Sequence, residues 1–348
     1  MTDLNTTHDR SALESNDVGA APLDREWLHD HSDTFGPLRS IIETTDGRSY
    51  RAMRSDLEPR WVQVWADLGV TIAAVAIAPI AMARIERALG KRAVFVAPVA
   101  AAVIGTAVHR LGLFIHEGAH YNLAPGKSAS DRLANATVGV VVLTDVRAYR
   151  PIHMAHHRKL GQADDPERSY FEPLDRRFVA RGLLGANVLL AMRQRLNGLQ
   201  PSDPPPSKLV PMAGAALHAG IILGLLRRGR RATAVSWAVG VGSVYPLLNT
   251  ARQWLEHRDE FARTDIPYEE ASHGVVTRMF TTGPLSLILG GAGFNRHLLH
   301  HWDASISYTR LRDLEQSLQS TAAGPVIRAR NGSYAATFRR LRRATGRR

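Results

Sequence analysis

The chain has 348 residues, of which 44 are Lys or Arg and 32 are Asp or Glu, so its net charge is +12. This length is sufficient for one large domain with a sizeable core. It contains no cysteine, which excludes a disulfide scaffold, a Cys-ligated zinc site, an iron–sulfur cluster and a thiol nucleophile. Any metal must therefore be bound by His, Asp or Glu. A basic chain suits nucleic acid or an anionic membrane surface, and the charge alone does not choose between them.

Residues 1–58 are polar and of mixed charge, and they lack the features of a signal peptide. We predict that they form a cytoplasmic arm that is partly disordered. Trp61 and Trp65 follow, as in an interfacial aromatic belt.

Five uncharged runs of 16 to 18 residues come next, at residues 68–83, 93–108, 209–226, 232–249 and 279–295. Helices of this length measure about 24 to 27 Å, so with flanking residues they can cross a hydrocarbon layer of about 30 Å. Residues 133–144 and 182–192 are too short to span, and we predict helices at the membrane interface there.

The mean hydropathy of the chain, −0.16, is low for a membrane protein, which leaves a soluble all-helical domain as an alternative. Residues 68–115 and 209–249 favour the membrane, because each would form a hairpin that is apolar on all sides. Arginines occur on both sides of these hairpins, so the positive-inside rule does not set their orientation. The basic residues of the two hairpin turns are Arg84, Arg87, Lys91 and Arg92, then Arg227, Arg228, Arg230 and Arg231.

Nine of the 15 histidines occur in four groups beside the apolar runs. These are His116 and His120; His153, His156 and His157; His257; and His297, His300 and His301. Residues three and four apart on a helix share a face, so each group presents its imidazoles together. If each long run crosses once, both hairpins return the chain to one side, where these groups meet. The fifth run must then re-enter or lie in the interface.

Nine neutral imidazoles at one place indicate metal binding, because protonated histidines would repel one another. Nine nitrogens are too many for one ion and predict two. Imidazole binds zinc, copper, nickel and iron alike, so the metal stays open at this point. We predict that the other histidines are structural or solvated; they are His8, His29, His31, His109, His218 and His273.

Residues 116–120 also match H-E-x-x-H, in which two histidines bind zinc and the glutamate serves as general base. An intramembrane metalloprotease is therefore an alternative, although it gives no role to the other histidine groups. A His-rich metal carrier without catalysis is a further alternative.

The three main groups resemble the histidine boxes of the membrane fatty acid desaturase and hydroxylase superfamily, in the order H-x-x-x-H, H-x-x-H-H and H-x-x-H-H. The resemblance covers about residues 60–318. It includes further family features at Tyr149 and Arg150, Asp164 to Pro166, Arg252 with Glu256 and His257, Asn295, and Tyr308 with Leu311. One departure is that residues 302–307 lack the proline that often follows the third box.

This resemblance implies an all-α integral membrane protein with four transmembrane helices in two hairpins, interfacial helices and a cytosolic, His-rich di-iron cap. The catalytic domain would cover residues 59–325, between the arm at 1–58 and a basic tail at 326–348. Two iron ions with O2 would remove hydrogen from a C–H bond of a lipid-like substrate. We predict a fatty acid desaturase, with a hydroxylase or ketolase acting on a lipid, carotenoid or specialised metabolite as the alternative.

The resemblance also assigns individual roles. The nine clustered histidines would bind iron. Glu117, Asp145, Asp165 and Glu256 would accept hydrogen bonds from imidazoles, with a helix-surface charge or a loop cap as the alternative for each acid except Glu256. Asn249 and Asn295 would hold an iron-bound water, with a helix cap as the alternative for each.

Without cysteine the chain has no ferredoxin or rubredoxin module, so we expect a separate electron donor of that type with its reductase. Basic residues around the second box suit an acidic partner or an acyl carrier's phosphate, with anionic lipid as the alternative. They are Arg147, Arg150, Arg158, Lys159 and Arg168. Because such donors are cytosolic, we expect the histidines and both termini at the cytoplasmic face of a bacterial inner membrane. We expect no nucleic acid, because the positive charges lie mostly at the ends of apolar runs.

Overall fold

The computed structural model describes residues 41–345 apart from 45–46, 163, 173, 188, 191–192, 194–206 and 259–276. Its helices are α1 (Tyr50–Ser55), α2 (Trp61–Leu89), α3 (Ala97–Ala119), α4 (Lys127–Leu133), α5 (Val140–Val142), α6 (Val146–Lys159), α7 (Arg176–Leu183), α8 (Leu209–Arg227), α9 (Arg231–Val239), α10 (Tyr245–His257), α11 (Pro284–Leu289), α12 (His297–Trp302), α13 (Leu311–Leu318), α14 (Gly324–Ala329) and α15 (Tyr334–Thr345). Strands β1 (Met279–Phe280) and β2 (Asn331–Gly332) pair in parallel. The predicted helical fold is therefore confirmed over these residues.

Among the described residues, three helical segments are long and apolar enough to cross a membrane: Trp61–Phe95, Ala97–Ala119 and Leu209–Arg227. They include three of the five predicted runs. The apolar window of Ala97–Ala119 is 61% buried, whereas that of Leu209–Arg227 is only 6% buried. Helix α3 is thus the central helix of the bundle, and α8 lies at its periphery.

Helix α3 crosses the helices α9 and α10, and glycines at this crossing allow the close packing. A Cβ added to Gly105 would lie 2.4 Å from Val244 Cβ, and one added to Gly240 would lie 2.8 Å from Ile104 Cγ2. Small residues let membrane helices approach closely in this way. The crossing lies at the π-helical turn Gly240–Val244, which joins α9 and α10 into one continuous helical run.

At the end of the bundle away from the histidine boxes, a buried carboxylate joins α2 to α9. Glu86 Oε1 accepts a hydrogen bond from Ala232 N at 3.0 Å, and Oε2 accepts from Thr233 N at 2.9 Å and Thr233 Oγ1 at 2.6 Å. The first amides of a helix have no partner within it, and an apolar environment offers them no water. Glu86 satisfies two of them and fixes the distance between the two helices.

The fifth apolar run is not one long helix. Residues 279–295 form β1, the six-residue α11 and the 3₁₀ turn Phe294–Arg296, with Gly293 at φ +79° between the last two. Helix α11 is about 9 Å long at 1.5 Å per residue. The run therefore does not cross as a helix but turns back against α3, where Gly291 lies close to Leu113. This return carries the third box to the first two.

Residues 133–144 contain the end of α4, a π-helical turn and α5 rather than one regular helix. Residues 182 and 183 end α7, and part of the segment 182–192 lies outside the described residues. Within α7, Val179 and Leu183 are exposed beside the arginines of the same helix, as a helix at an interface requires.

The described part of the N-terminal arm packs on the domain. Tyr50 and Met53, three residues apart on one face of α1, are buried in a cluster with Trp302 and Leu314. The Tyr50 hydroxyl donates a hydrogen bond to Asp303 at 2.7 Å, in the loop that follows the third box. The described residues of 41–58 thus pack on the domain. Residues 1–40 lie outside the described residues, so the partial disorder of the arm stays a prediction.

The crossing of α3 with the run from α9 to α10 can be tested with Gly105→Ala. Because the new methyl group would meet Val244, we expect the free energy of unfolding to fall by about 1 to 3 kcal/mol. The measurement is thermal denaturation in detergent. Gly69→Ala is the matched control, since nothing lies within 4 Å of its Cβ position. Equal melting temperatures for the two variants would contradict the packing described.

Candidate metal centre

The nine predicted histidine ligands lie together in two adjoining groups. The ligand atoms of the first group all lie within 4.8 Å of one another; it consists of His116, His120, His153, His157 and His300. The same limit holds for His156 with His257 and His301, and for Glu256 with His257 and His297. These two sets share His257 and together form the second group.

Each H-x-x-H-H box supplies both groups. On α6, His153 and His157 are four apart and share a face that belongs to the first group, whereas His156 is turned toward the second. On α12 the arrangement is reversed, because the outer pair joins the second group and His300 joins the first. The end of α3 completes the first group with His116 and His120, and the end of α10 completes the second with His257.

The spacing between the ring nitrogens suits common ions. In the first group, Nε2 of His153 lies 3.0 Å from Nε2 of His120 and 3.1 Å from Nε2 of His157. In the second, Nε2 of His297 lies 2.9 Å from Nε2 of His257 and 3.1 Å from Nε2 of His301. Ligands bound at about 2.1 Å to one ion lie about 3.0 Å apart when they are adjacent in an octahedron.

Carboxylates decide which ring nitrogen carries the proton. Glu167 Oε2 lies 2.9 Å from His153 Nδ1, and Asp165 Oδ2 lies 2.9 Å from His156 Nδ1. An ionised carboxylate only accepts, so Nδ1 holds the proton and Nε2 presents a lone pair. Nε2 of the buried His116 has no hydrogen-bond partner within the described residues. Converging lone pairs without donors fit a cation, and the donor set therefore fits metal ions.

Burial keeps the imidazoles neutral. It disfavours the protonated ring and holds the pKa of His153, His157, His300 and His301 well below the usual value, with a further contribution from neighbouring imidazoles. Burial, together with the charge of Arg150, lowers the pKa of His120 to about 3.

Two of the predicted acids lie next to Nδ1 of an imidazole. A further acid in the same position was not predicted. Asp165 lies beside His156, and Glu117 Oε1 lies 3.3 Å from His116 Nδ1. The acid that the sequence reasoning missed is Glu167, two residues after Asp165 in the same loop. That proximity was the signal that could have identified it.

Asp145 has the alternative role that the sequence left open, that of a cap. Its carboxylate caps α6 by accepting from Arg147 N at 2.9 Å and from Asn135 Nδ2 at 3.1 Å. The residue directly before a helix is the position at which an aspartate satisfies free amides. Asp145 therefore lies near the second box in the sequence because it begins the helix that carries this box.

Glu256 lies within the second group itself. Its side chain is fully buried, Oε2 lies 3.6 Å from His297 Nε2, and Oε1 has no hydrogen-bond partner among the described residues. Arg252 forms an ion pair with Glu256, and its guanidinium lies 4.0 Å from the centre of the Phe294 ring. The carboxylate can thus act as an oxygen ligand, beyond the role of acceptor that the sequence suggested.

A small cavity of about 50 Å³ borders both groups. Its lining includes His116 and His153 from the first group, His257 and His297 from the second, and Asn249. Since a water needs about 10 to 15 Å³ by this measure, the cavity accommodates a few small molecules. Asn249 is therefore positioned as predicted for holding a water.

Asn295 lies elsewhere. It is two residues before His297, and its Cβ lies 3.1 Å from the position of a Cβ on Gly290, in the turn after α11. It is not among the residues that line the cavity. Its predicted role beside an iron-bound water is not supported by this position.

Part of the basic surface around the second box has a structural role. Arg150 donates to the carbonyls of Ala119 and Gly118 at 2.8 and 3.0 Å, and its guanidinium stacks 3.7 Å above the Tyr121 ring. Arg147 pairs with Asp145. Both residues therefore stabilise the frame around the first two boxes.

Histidines outside the two groups have other surroundings. His218 Nε2 donates to Val141 O at 2.9 Å, and its Nδ1 accepts from Trp237 Nε1 at 3.3 Å. His109 is fully buried in α3. His8, His29, His31 and His273 lie outside the described residues.

Comparison with known protein families agrees with these motifs. The model of the family described as fatty acid desaturase matches residues 93–329, which is more than half of the chain and includes all four histidine groups. A comparison with curated proteins found no match.

The neutral imidazoles predict acid sensitivity of the metal-free protein. Unfolded histidines titrate near pH 6.5, whereas His120 in the folded protein titrates near pH 3, so the unfolded state binds more protons between these values. Stability should therefore fall as the pH drops from 7 to 5. Thermal denaturation of the chelator-treated protein in detergent measures this. A melting temperature that stays constant over that range would contradict neutral, buried imidazoles.

The role of Glu167 can be tested with Glu167→Gln. An amide accepts the Nδ1 proton of His153 less strongly than a carboxylate, so we expect metal affinity to fall by about 10- to 100-fold. Titration of the chelator-treated protein with metal gives the affinity. Asp164→Asn is the control, because that exposed acid pairs with Lys159 at the surface. If both variants bind metal like the unmodified protein, Glu167 does not orient the ring.

Proposed function

The chain belongs to the fatty acid desaturase family, and we propose that it is an O2-dependent, non-haem di-iron desaturase that introduces a C=C bond into an acyl chain. The observation that carries this proposal is the division of the nine histidines between two adjoining groups with ring nitrogens about 3 Å apart. Two ions held next to each other suit the reduction of O2 in a single site better than one ion does.

We propose a membrane arrangement with four spans. The three apolar helical segments would be joined by the continuous run from α9 to α10, which contains the uncharged residues 232–249. This gives one hairpin of α2 with α3 and a second of α8 with α9 and α10. The histidines would cap the bundle at the cytoplasmic face of a bacterial inner membrane, within reach of soluble electron donors.

In this mechanism the protein holds the imidazole rings and a carboxylate in the orientation that binds the metal ions. Glu167 and Asp165 hold the Nδ1 protons of His153 and His156, so that both rings present Nε2 to the centre. Glu256, kept in place by Arg252, offers a carboxylate to the second group. The bound iron ions would supply the activation of O2 needed to remove hydrogen from an unactivated C–H bond.

The balance of the reaction requires a separate reductant. Removing two hydrogens from the substrate while O2 accepts two further electrons and two protons yields an alkene and two water molecules. The chain has no cysteine for a fused iron–sulfur module. We propose that a ferredoxin- or rubredoxin-type protein with its reductase delivers the electrons, and that it docks at the basic surface near Arg158 and Arg168.

The position of Glu117 argues against a metalloprotease. In a zinc protease of the H-E-x-x-H type the glutamate activates the metal-bound water. Here Glu117 accepts from Tyr308 N and Asn122 Nδ2, both at 3.3 Å, and lies on the Nδ1 side of His116. Its Oε2 is therefore occupied by these two donors rather than free to activate a metal-bound water.

Single-turnover analysis tests the reaction. The protein is purified anaerobically in detergent, its metal content is measured, and it is exposed to O2 with reductant and a panel of acyl substrates. We expect about two irons per chain and a product lighter by two hydrogens in mass spectrometry. A product heavier by one oxygen would instead assign hydroxylation. A single zinc without O2 consumption would overturn the proposal.

Variants of each group test the histidines separately. His300→Ala removes a member of the first group and His156→Ala one of the second, so we expect each to lower iron content and to abolish turnover. Membrane insertion should persist, because the apolar helices are unchanged. His29→Ala, in the N-terminal arm, is the control and should behave like the unmodified protein. Unchanged turnover in either ligand variant would remove that histidine from the site.

A further inference from the structure

An apolar groove separates α2 from α8, and its end at the arginines lies away from the histidines. Its volume is about 720 Å³, within the range of ligand sites. Along α2 it extends from Ile72 to Arg87, which is about 22 Å at 1.5 Å per residue. Along α8 it extends from Leu217 to Leu225 and continues to Arg228.

The first half of α8 packs closely against α5. A Cβ on Gly214 would lie 2.2 Å from Val140 O, and His218 donates to Val141 O. Beyond these contacts α8 presents Gly220, whose Cβ position has nothing within 4 Å. The helix therefore leaves open space where a larger side chain would have met α2.

Three arginines lie at the mouth of the groove. Arg84 and Arg87 come from the last turns of α2, and Arg228 follows the end of α8. All three are exposed. The nearby carboxylate of Glu86 is buried in its hydrogen bonds to Ala232 and Thr233, so it points into the bundle and away from solvent. The mouth is accordingly positive.

An apolar space between membrane helices is filled by hydrocarbon, because water in it would lack hydrogen-bond partners. The three guanidinium groups at the mouth favour a lipid with an anionic headgroup, because arginine binds phosphate through charge-assisted hydrogen bonds. We propose that the groove binds an anionic phospholipid of the leaflet farther from the histidines. Its phosphate lies among Arg84, Arg87 and Arg228, and an acyl chain lies between α2 and α8.

This lipid borders the wall of the metal centre. Leu111 and Val141 line the groove, while their neighbours Gly112 and Val142 line the cavity beside His116. The site depends on the membrane location of the helices and not on the proposed reaction. A failure of desaturation would leave it intact, and its own failure would leave desaturation intact.

The test uses the full chain, delipidated in detergent, with phosphatidylglycerol and phosphatidylcholine of identical acyl chains as probes. Native mass spectrometry measures retention, and thermal denaturation measures stabilisation. We expect phosphatidylglycerol to bind more tightly and to raise the melting temperature more. The triple variant Arg84→Gln, Arg87→Gln and Arg228→Gln should weaken its binding about a hundredfold, because each basic side chain near a lipid headgroup contributes roughly fivefold.

Two controls separate this site from general charge effects. Lys91→Gln, Arg92→Gln and Arg227→Gln together remove the same charge from the same turns without altering residues that line the groove, and should leave binding within about threefold. Gly220→Phe places a ring in the groove and should abolish retention while the arginines remain. Equal affinity for both lipids, equal loss in both triple variants, or full retention by Gly220→Phe would overturn the proposal. A lipid-independent dimer that covers the groove would also overturn it.

Discussion

The histidine centre depends on carboxylates that hold imidazole protons on the outer nitrogen. Rings facing one another at about 3 Å would have lone pair against lone pair, and burial prevents protonation from relieving the repulsion. Glu167 and Asp165 nevertheless hold the rings of His153 and His156 in this orientation, which becomes favourable only when cations lie between the ring nitrogens. Helix ends, loops and the return of the fifth apolar run all serve to bring these groups together.

The opposite end of the bundle supplies the rigidity that this geometry needs. Glu86 joins α2 to α9, and the glycine crossing at Gly105 brings α3 against the run from α9 to α10. Helices α3 and α10 carry His116 and His257 at their ends, so a change in the crossing angle of the helices would displace both histidines. The membrane core and the metal centre are therefore parts of one frame.

Local periodicity predicted the apolar helices and the nine histidines, because both depend on residues within a few turns of one another. It did not identify Glu167, whose loop had to fold back on α6 before its carboxylate met His153. It left Asp145 open between an acceptor for imidazole and a cap, and that residue caps a helix. The packing of Tyr50 on Asp303 joins residues 253 positions apart, which spacing within a segment cannot show.

Because each H-x-x-H-H box divides its rings between the groups, neither ion position is independent of the other. Binding at the first group fixes α6 through His153 and His157, and the same helix then presents His156 to the second group. Helix α12 makes the reciprocal link through His300. The ordering of one site by a bound ion would thereby lower the entropic cost of the next, so the two positions would be coupled in free energy.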